Sequence, residues 1–256
     1  MPHFKLTLSY DGTAFVGWQR QATGPSIQGL LEGALAALDG QSVVVAGAGR
    51  TDAGVHALGQ VATCSLTRDT DAGTVLRAVN ARLPPTIRIL DVAEVSAAFH
   101  ARFSSTSKIY RYRIWSGDVV SPFEFPYVWH LPSPLLDVDA MDVAARALEG
   151  THDFSCFQSA GSETHTTERT VYSSCVRRGA GRSPDIGHGG SLITYEVSGD
   201  GFLKHSVRAI VGTLVEVGRG RRTSSWLQEV MASRSRSCAG PTAPAAGLVL
   251  VSVSYA

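Results

Sequence analysis

The chain opens by alternating: Phe4, Leu6, Leu8 and Tyr10 stand opposite Lys5, Thr7 and Ser9. A period of two sends successive side chains to opposite faces of a pleat, which predicts a strand over 4–10 with one buried face. The next apolar stripe changes period. Ile27, Leu30, Leu31, Ala34, Leu35 and Leu38 recur at helical spacing, with Ser26 placed to cap the first turn and Gly40 to end the helix. Residues 43–46 predict a short buried strand, 60–66 and 87–95 two further strands, and 71–83 a helix, so this part reads βαββαβ.

A second series follows. It comprises a strand over 108–115, a helix over 138–148 stopped by Gly150, and strands over 170–178 and 192–198. The Gly- and Arg-rich segment 179–190 between those strands reads as a mobile hairpin loop. Helices over 202–217 and 224–233 and a terminal strand over 248–255 complete the chain. Strand and helix alternate without the regular crossovers of an all-parallel sheet. The expectation is therefore an α+β protein of two ferredoxin-like halves, 1–104 and 105–256, with largely antiparallel sheets and a cleft between them.

Composition adds little to this picture. With 256 residues, 44% of them hydrophobic, the chain can bury a substantial core without covalent staples. Cys64, Cys156, Cys175 and Cys238 are too far apart for a zinc motif and too few for a disulfide scaffold. The alternating N-terminus is unlike a signal peptide, and no apolar run is long enough to span a bilayer, so the expected setting is the cytoplasm, away from any membrane. A net charge of +1 does not argue for a polyanion partner, but its distribution bears on one. Residues 202–236 carry Lys204, Arg208, Arg219, Arg221, Arg222, Arg234 and Arg236 against only Glu216 and Glu229. Such a segment suits phosphates, or equally a solvated helical face.

The candidate chemistry lies in Gly47-Ala48-Gly49-Arg50-Thr51-Asp52-Ala53-Gly54, directly after the apolar run Val43-Val44-Val45. A strand entering a Gly-rich loop first suggests dinucleotide binding, as in a nucleotide-dependent oxidoreductase. Asp52 occupies the position of the third glycine, where its charge would repel a pyrophosphate, and a strand follows where a helix is required. A carboxylate on a tight loop with Arg50 two residues earlier suits a nucleophile or base, but on local chemistry alone an Asp that merely caps a turn is the commoner case, since Asp is frequent in Gly-rich turns.

The string Gly49-Arg50-Thr51-Asp52-Ala53-Gly54-Val55-His56-Ala57-Leu58-Gly59-Gln60-Val61 resembles the signature of the tRNA pseudouridine synthase A family, whose essential aspartate matches Asp52. Other blocks resemble the family in the same order: Tyr10-Asp11-Gly12-Thr13 with Phe15 and Gly17-Trp18-Gln19, then Phe99-His100-Ala101-Arg102-Phe103-Ser104 and Lys108-Ile109-Tyr110-Arg111-Tyr112. Gly150-Thr151-His152-Asp153-Phe154, Val207-Arg208-Ala209-Ile210-Val211-Gly212 and Ala243-Pro244-Ala245-Ala246-Gly247-Leu248 continue the series.

The resemblance implies conversion of uridine to pseudouridine on the 3′ side of the tRNA anticodon stem and loop, by a homodimer without metal or small-molecule cofactor. It implies roles for Asp52 as the essential carboxylate, for Tyr110 beside the flipped base, for Arg208 as the partner of Asp52, for Arg50 in flipping the base or filling the space it vacates, and for Leu248 in packing against the base. Arg102, Lys108, Arg111, Arg169, Lys204, Arg219, Arg221 and Arg222 are the candidate phosphate contacts. The alternatives are a tRNA-binding or tRNA-folding protein without catalysis, and a synthase acting at other RNA sites. The chain departs from the family pattern in having Ser206 where methionine is common, in the length of 179–190, and in the weakly basic Thr166-Thr167-Glu168-Arg169.

Overall fold

The structure, a computed structural model, describes residues 1–132, 135–159, 161, 164, 166–179 and 187–256. It is a mixed α+β protein in which most strand pairs are antiparallel. Two compact units form: one from Met1–Lys108 with Val249–Ala256, the other from Ile109–Leu248. The last strand thus belongs with the first unit, whereas the sequence reading placed it in the second half.

The first unit holds β1 (His3–Tyr10), α1 (Ile27–Asp39), β2 (Ala46–Gly47), β3 (His56–Ser65), α2 (Ala72–Asn80) and β4 (Ile87–Glu94). Its strands lie in the order β4-β1-β3, with β2 antiparallel on β3. This is the order of a ferredoxin-like βαββαβ unit. β1 buries Phe4, Leu6, Leu8 and Tyr10, as its alternation requires. α1 is capped by the Ser26 side chain, which accepts from the Gly29 amide, and ends at Gly40 with φ 81°.

Two predicted elements differ. The strand expected over 43–46 shrinks to Ala46–Gly47 because α1 takes its backbone groups: Glu32 accepts from the Val45 amide (3.2 Å) and Gln28 donates to the Val45 carbonyl (2.9 Å). β3 begins four residues before the predicted Gln60, because β10 (Leu248–Tyr255) pairs parallel with its start, Val249 against His56 and Leu250 against Ala57. β2 and β10 therefore share one edge of β3 at its opposite ends.

The second unit holds most of β5 (Ser105–Val120), then β6 (Trp129–Leu131), α3 (Val138–Arg146), β7 (Gly150–Asp153), β8 (Glu168–Arg178), β9 (Gly187–Gly199), α4 (Ser206–Gly218) and α5 (Trp226–Ser233). Its strand order is β5-β9-β8-β7, with β6 parallel to β5. β6 and β7 escaped the sequence reading because each is too short to show a period. Gly150, expected to stop α3, instead opens β7. Residues 180–186 of the expected hairpin loop lie outside the described residues. α4 starts four residues later than expected because His205 takes a left-handed φ of 63°, which a helix cannot include. The helix is buried almost throughout, with Gly212 so close to the Pro241 carbonyl that no side chain fits there.

Candidate active site

Asp52 sits in the loop between β2 and β3, partly exposed, between the buried neighbour Thr51 and the exposed Ala53. The loop is held from several sides. On its N-terminal side the Ala48 amide donates to Val61 O (2.8 Å) and Gln60 Nε2 donates to Gly49 O (3.0 Å), fastening it to β3. The Thr51 hydroxyl bonds the Tyr10 hydroxyl at 2.8 Å. The Trp18 amide donates to Thr51 O (3.0 Å). On the C-terminal side the Val55 amide turns back to Asp52 O (3.1 Å), with Gly54 at φ 77°, a left-handed value suited to glycine.

The segment after β1 forms the other wall. Gly17, at φ 107°, lies so close that an added Cβ would stand 2.6 Å from Thr51 O, and at Gly12 a Cβ would overlap Val55 O. Beyond the loop, His56 is buried, and its Nδ1 accepts from the Gly12 amide at 3.1 Å and lies 3.2 Å from the Asp11 carboxylate. Lys108 approaches from β5: its Cε would be 3.8 Å from a Cβ at Gly49, and its ammonium reaches Ser105 Oγ at 3.3 Å. Asp11, Gly12, Gly17, Tyr10 and Gln60 were not among the predicted site residues. The only sequence signal for them was their membership of the matching blocks.

In the second unit, Tyr110 is buried on β5, its ring meeting the edge of Phe202 at 5.2 Å and 83°. Phe202 also lines a shallow depression with Phe154, Arg169, Val171, Leu203 and Ser206. Arg208, in the first turn of α4, donates from Nε to Ala243 O (2.8 Å), while the Ala243 amide donates to Arg208 O (3.1 Å). The guanidinium is thereby tethered to the segment leading to Leu248, a buried residue. Tyr112, two residues further along β5, donates its hydroxyl to Pro244 O (2.7 Å), and its ring fills the space over Gly247. Burial pushes its phenol well above the usual tyrosine range, against the opposing pull of the Arg208 charge.

The tRNA pseudouridine synthase family model matches residues 7–104 and 144–256. The chain belongs to this family. A tRNA pseudouridine synthase A of Myxococcus xanthus is 46% identical over 255 residues, covering 100% of this chain and 92% of the relative. Proteins of the same name from Solibacter usitatus (46% over 258 residues) and Moorella thermoacetica (44% over 257 residues) are each covered, like this chain, over 100% of their length. The family blocks noted in the sequence now have physical contents. The Tyr10–Gln19 block walls the Asp52 loop, the Val207–Gly212 block is the buried start of α4, and the Ala243–Leu248 block is what Arg208 and Tyr112 bind.

The predicted basic residues are not equivalent. Arg111 is engaged by Glu196 through two bonds of 3.0 and 2.7 Å, and Arg219 and Arg221 share Glu216 at 3.5 and 3.2 Å. Arg169 turns onto the carbonyls of Thr166 and Glu168. Arg50, Arg102, Lys204 and Arg222 are exposed, Arg102 over the Phe103 ring (5.6 Å) and Arg222 over Trp226 (4.9 Å). Both guanidinium groups are exposed, one over the exposed Phe103 ring and the other over the half-buried Trp226 ring. Ser206 is buried and donates to Leu203 O (2.9 Å), closing the turn into α4. Among the described residues no three His, Cys, Asp or Glu side chains form a metal-binding group, and no helix is long and apolar enough to cross a membrane.

Proposed function

We propose that this chain isomerises uridine to pseudouridine in the anticodon stem and loop of tRNA, with Asp52 as the essential carboxylate. The observation that carries the reading is a partly exposed aspartate on a loop whose flanking backbone is bonded on both sides, in a chain that matches the tRNA pseudouridine synthase family along most of its length. A carboxylate so held does not have to be reorganised when charge develops at a substrate, which is where much catalytic power arises.

The reaction breaks the bond from ribose C1′ to uracil N1 and forms one from C1′ to C5. The C5 proton is lost and N1 gains one, so product and substrate have the same atoms. The uridine leaves its stack to reach a loop carboxylate, at a cost of a few kcal/mol. Tyr110, its ring already oriented by Phe202, is the platform for the uracil. Arg208, tethered at Ala243, is the cation of the catalytic set, Arg50 occupies the space the base leaves, and Leu248 packs against the base. The exposed cations Arg102, Lys204 and Arg222 contact phosphates, and the working form is a cytoplasmic homodimer.

The test is to incubate the protein with an unmodified tRNA transcript and map pseudouridine at single-nucleotide resolution. Wild type modifies the 3′ side of the anticodon arm. Asp52→Asn binds the same tRNA with unchanged affinity and forms no pseudouridine. Modification by that variant at the wild-type rate overturns the assignment, and a wild-type protein that binds but never modifies makes it a tRNA-binding protein instead.

A further inference from the structure

A buried polar chain runs into the loop just before Asp52 and has no part in the chemistry described so far. Gln60, Tyr10 and Thr51 are 0%, 4% and 6% exposed, on β3, on β1 and in the loop. The Gln60 amide nitrogen donates to Gly49 O (3.0 Å) and, more weakly, to the Tyr10 hydroxyl (3.4 Å), which bonds Thr51 Oγ1 at 2.8 Å. Gln60 Oε1 accepts from the Val61 amide at 3.2 Å. The chain thus grips the loop at Gly49 and at Thr51, on either side of Arg50 and immediately before Asp52.

Stability alone does not call for such a chain at three interior positions. Apolar side chains of the same size pack as well without a desolvation cost, whereas a buried network is specific about geometry when every member is satisfied. The fold also departs from regularity to build it. The β1–β3 register shifts between Leu8, opposite Gln60, and Tyr10, opposite Ala57. An irregularity of this kind re-aims a side chain, and here it involves the last inward position of β1, whose hydroxyl reaches the loop.

We propose that Tyr10, Gln60 and Thr51 are positioning residues for Asp52, a hydrogen-bonded relay that sets the loop backbone from which the carboxylate projects. The relay has a direction. Gln60 can only donate to the Tyr10 oxygen, which leaves the Tyr10 proton for Thr51. Burial pushes the Tyr10 phenol up to about 12, so that proton is present throughout the neutral range. The inference rests on the reading of Asp52 as the essential carboxylate, and its test separates the two.

The variants are Tyr10→Phe, which removes one oxygen, Thr51→Val, which keeps the shape, and Thr51→Ser, which keeps the hydroxyl. Each is measured for pseudouridine formation on unmodified tRNA, giving kcat and KM, and for its melting temperature, beside Asp52→Asn. The expected result is a kcat lowered about tenfold or more in Tyr10→Phe and Thr51→Val, since a displacement on the order of 1 Å at a reacting group has effects of that size. KM stays within about twofold, and Thr51→Ser returns most of the rate. Wild-type kcat in a folded Tyr10→Phe variant overturns the relay, and so does a loss shared equally by kcat, tRNA affinity and melting temperature. If Asp52→Asn is inactive while Tyr10→Phe is fully active, only the relay fails. If Asp52→Asn is active, the reading of Asp52 fails with it.

Discussion

At the scale of single residues, glycines decide how closely the Asp52 loop can be approached. Gly17 combines a φ of 107° with backbone on its open side, so Gly17→Ala meets both torsional strain and the Thr51 carbonyl. It is expected to cost about 1–3 kcal/mol in urea unfolding and to lower the modification rate further, because relief of the clash moves the residue beside Asp52. Gly33 is the control. It lies inside α1 with open space around it, so Gly33→Ala should raise stability by about 0.5–1 kcal/mol and leave the rate unchanged. Equal losses from both substitutions would show that Gly17 is not held against the loop. Tyr10 and Gln60 show how a residue's role escapes the sequence. In the chain they are an inward strand tyrosine and one more polar residue in an alternating run, and only their meeting across β1 and β3 reveals a network.

At the scale of elements, caps fix where the helices begin, and at Ser26 the cap was legible in the sequence. Ser26, Asp71 and Asp137 each accept a bond from a backbone amide in the first turn of α1, α2 and α3. At Asp71 the Thr74 hydroxyl, followed by the Thr74 amide, holds the carboxyl below the usual aspartate range. A carboxylate whose folded pKa is depressed contributes stability that is present above its unfolded pKa of about 3.9 and is lost as the pH falls through the folded value. Asp71→Ala is therefore expected to lower the melting temperature at pH 7, and the gap from wild type should narrow once the pH falls below 4. A gap that is constant from pH 7 to pH 3 would refute the charged cap. Elements without such punctuation were harder to read. β2 lost its predicted length because Gln28 and Glu32, remote in sequence from Val45, compete for its backbone. The onset of α4 was displaced by a single left-handed residue, His205, whose ring nitrogen is bonded to Ser159 Oγ at 2.7 Å.

At the scale of the whole molecule, the near-zero net charge conceals a division between cations already matched by carboxylates and cations left to solvent. If tRNA is gripped by phosphate contacts, log affinity falls linearly with log salt, with a slope set by the number of contacts. Replacing Lys204 or Arg222 by alanine should each reduce that slope by about one and weaken binding to all tRNAs alike. Arg111→Ala should change the slope less, because Glu196 already neutralises that guanidinium. Affinity that is flat in salt, or an Arg111 effect larger than that of Lys204, would count against this surface. Tyr255 makes the related point for the fold. From the end of the chain its hydroxyl donates to Ala101 O (2.8 Å), and it packs with Val253 on Ala48, Val61 and Ala101.

The sequence by itself determined the α+β class, the βαββαβ order of the first unit, most helix limits and the blocks that mark the family, because periodicity, caps and motif strings are local and survive without coordinates. Only the tertiary structure decided that the last strand completes the edge of the first unit, that Gly12 and Gly17 wall the Asp52 loop, that Arg111 is matched by Glu196, and that Gln60, Tyr10 and Thr51 form one polar chain. Each of these is a contact between residues far apart in the chain. Such contacts arise from register, burial and the competition of donors for acceptors, which no local pattern of side chains encodes.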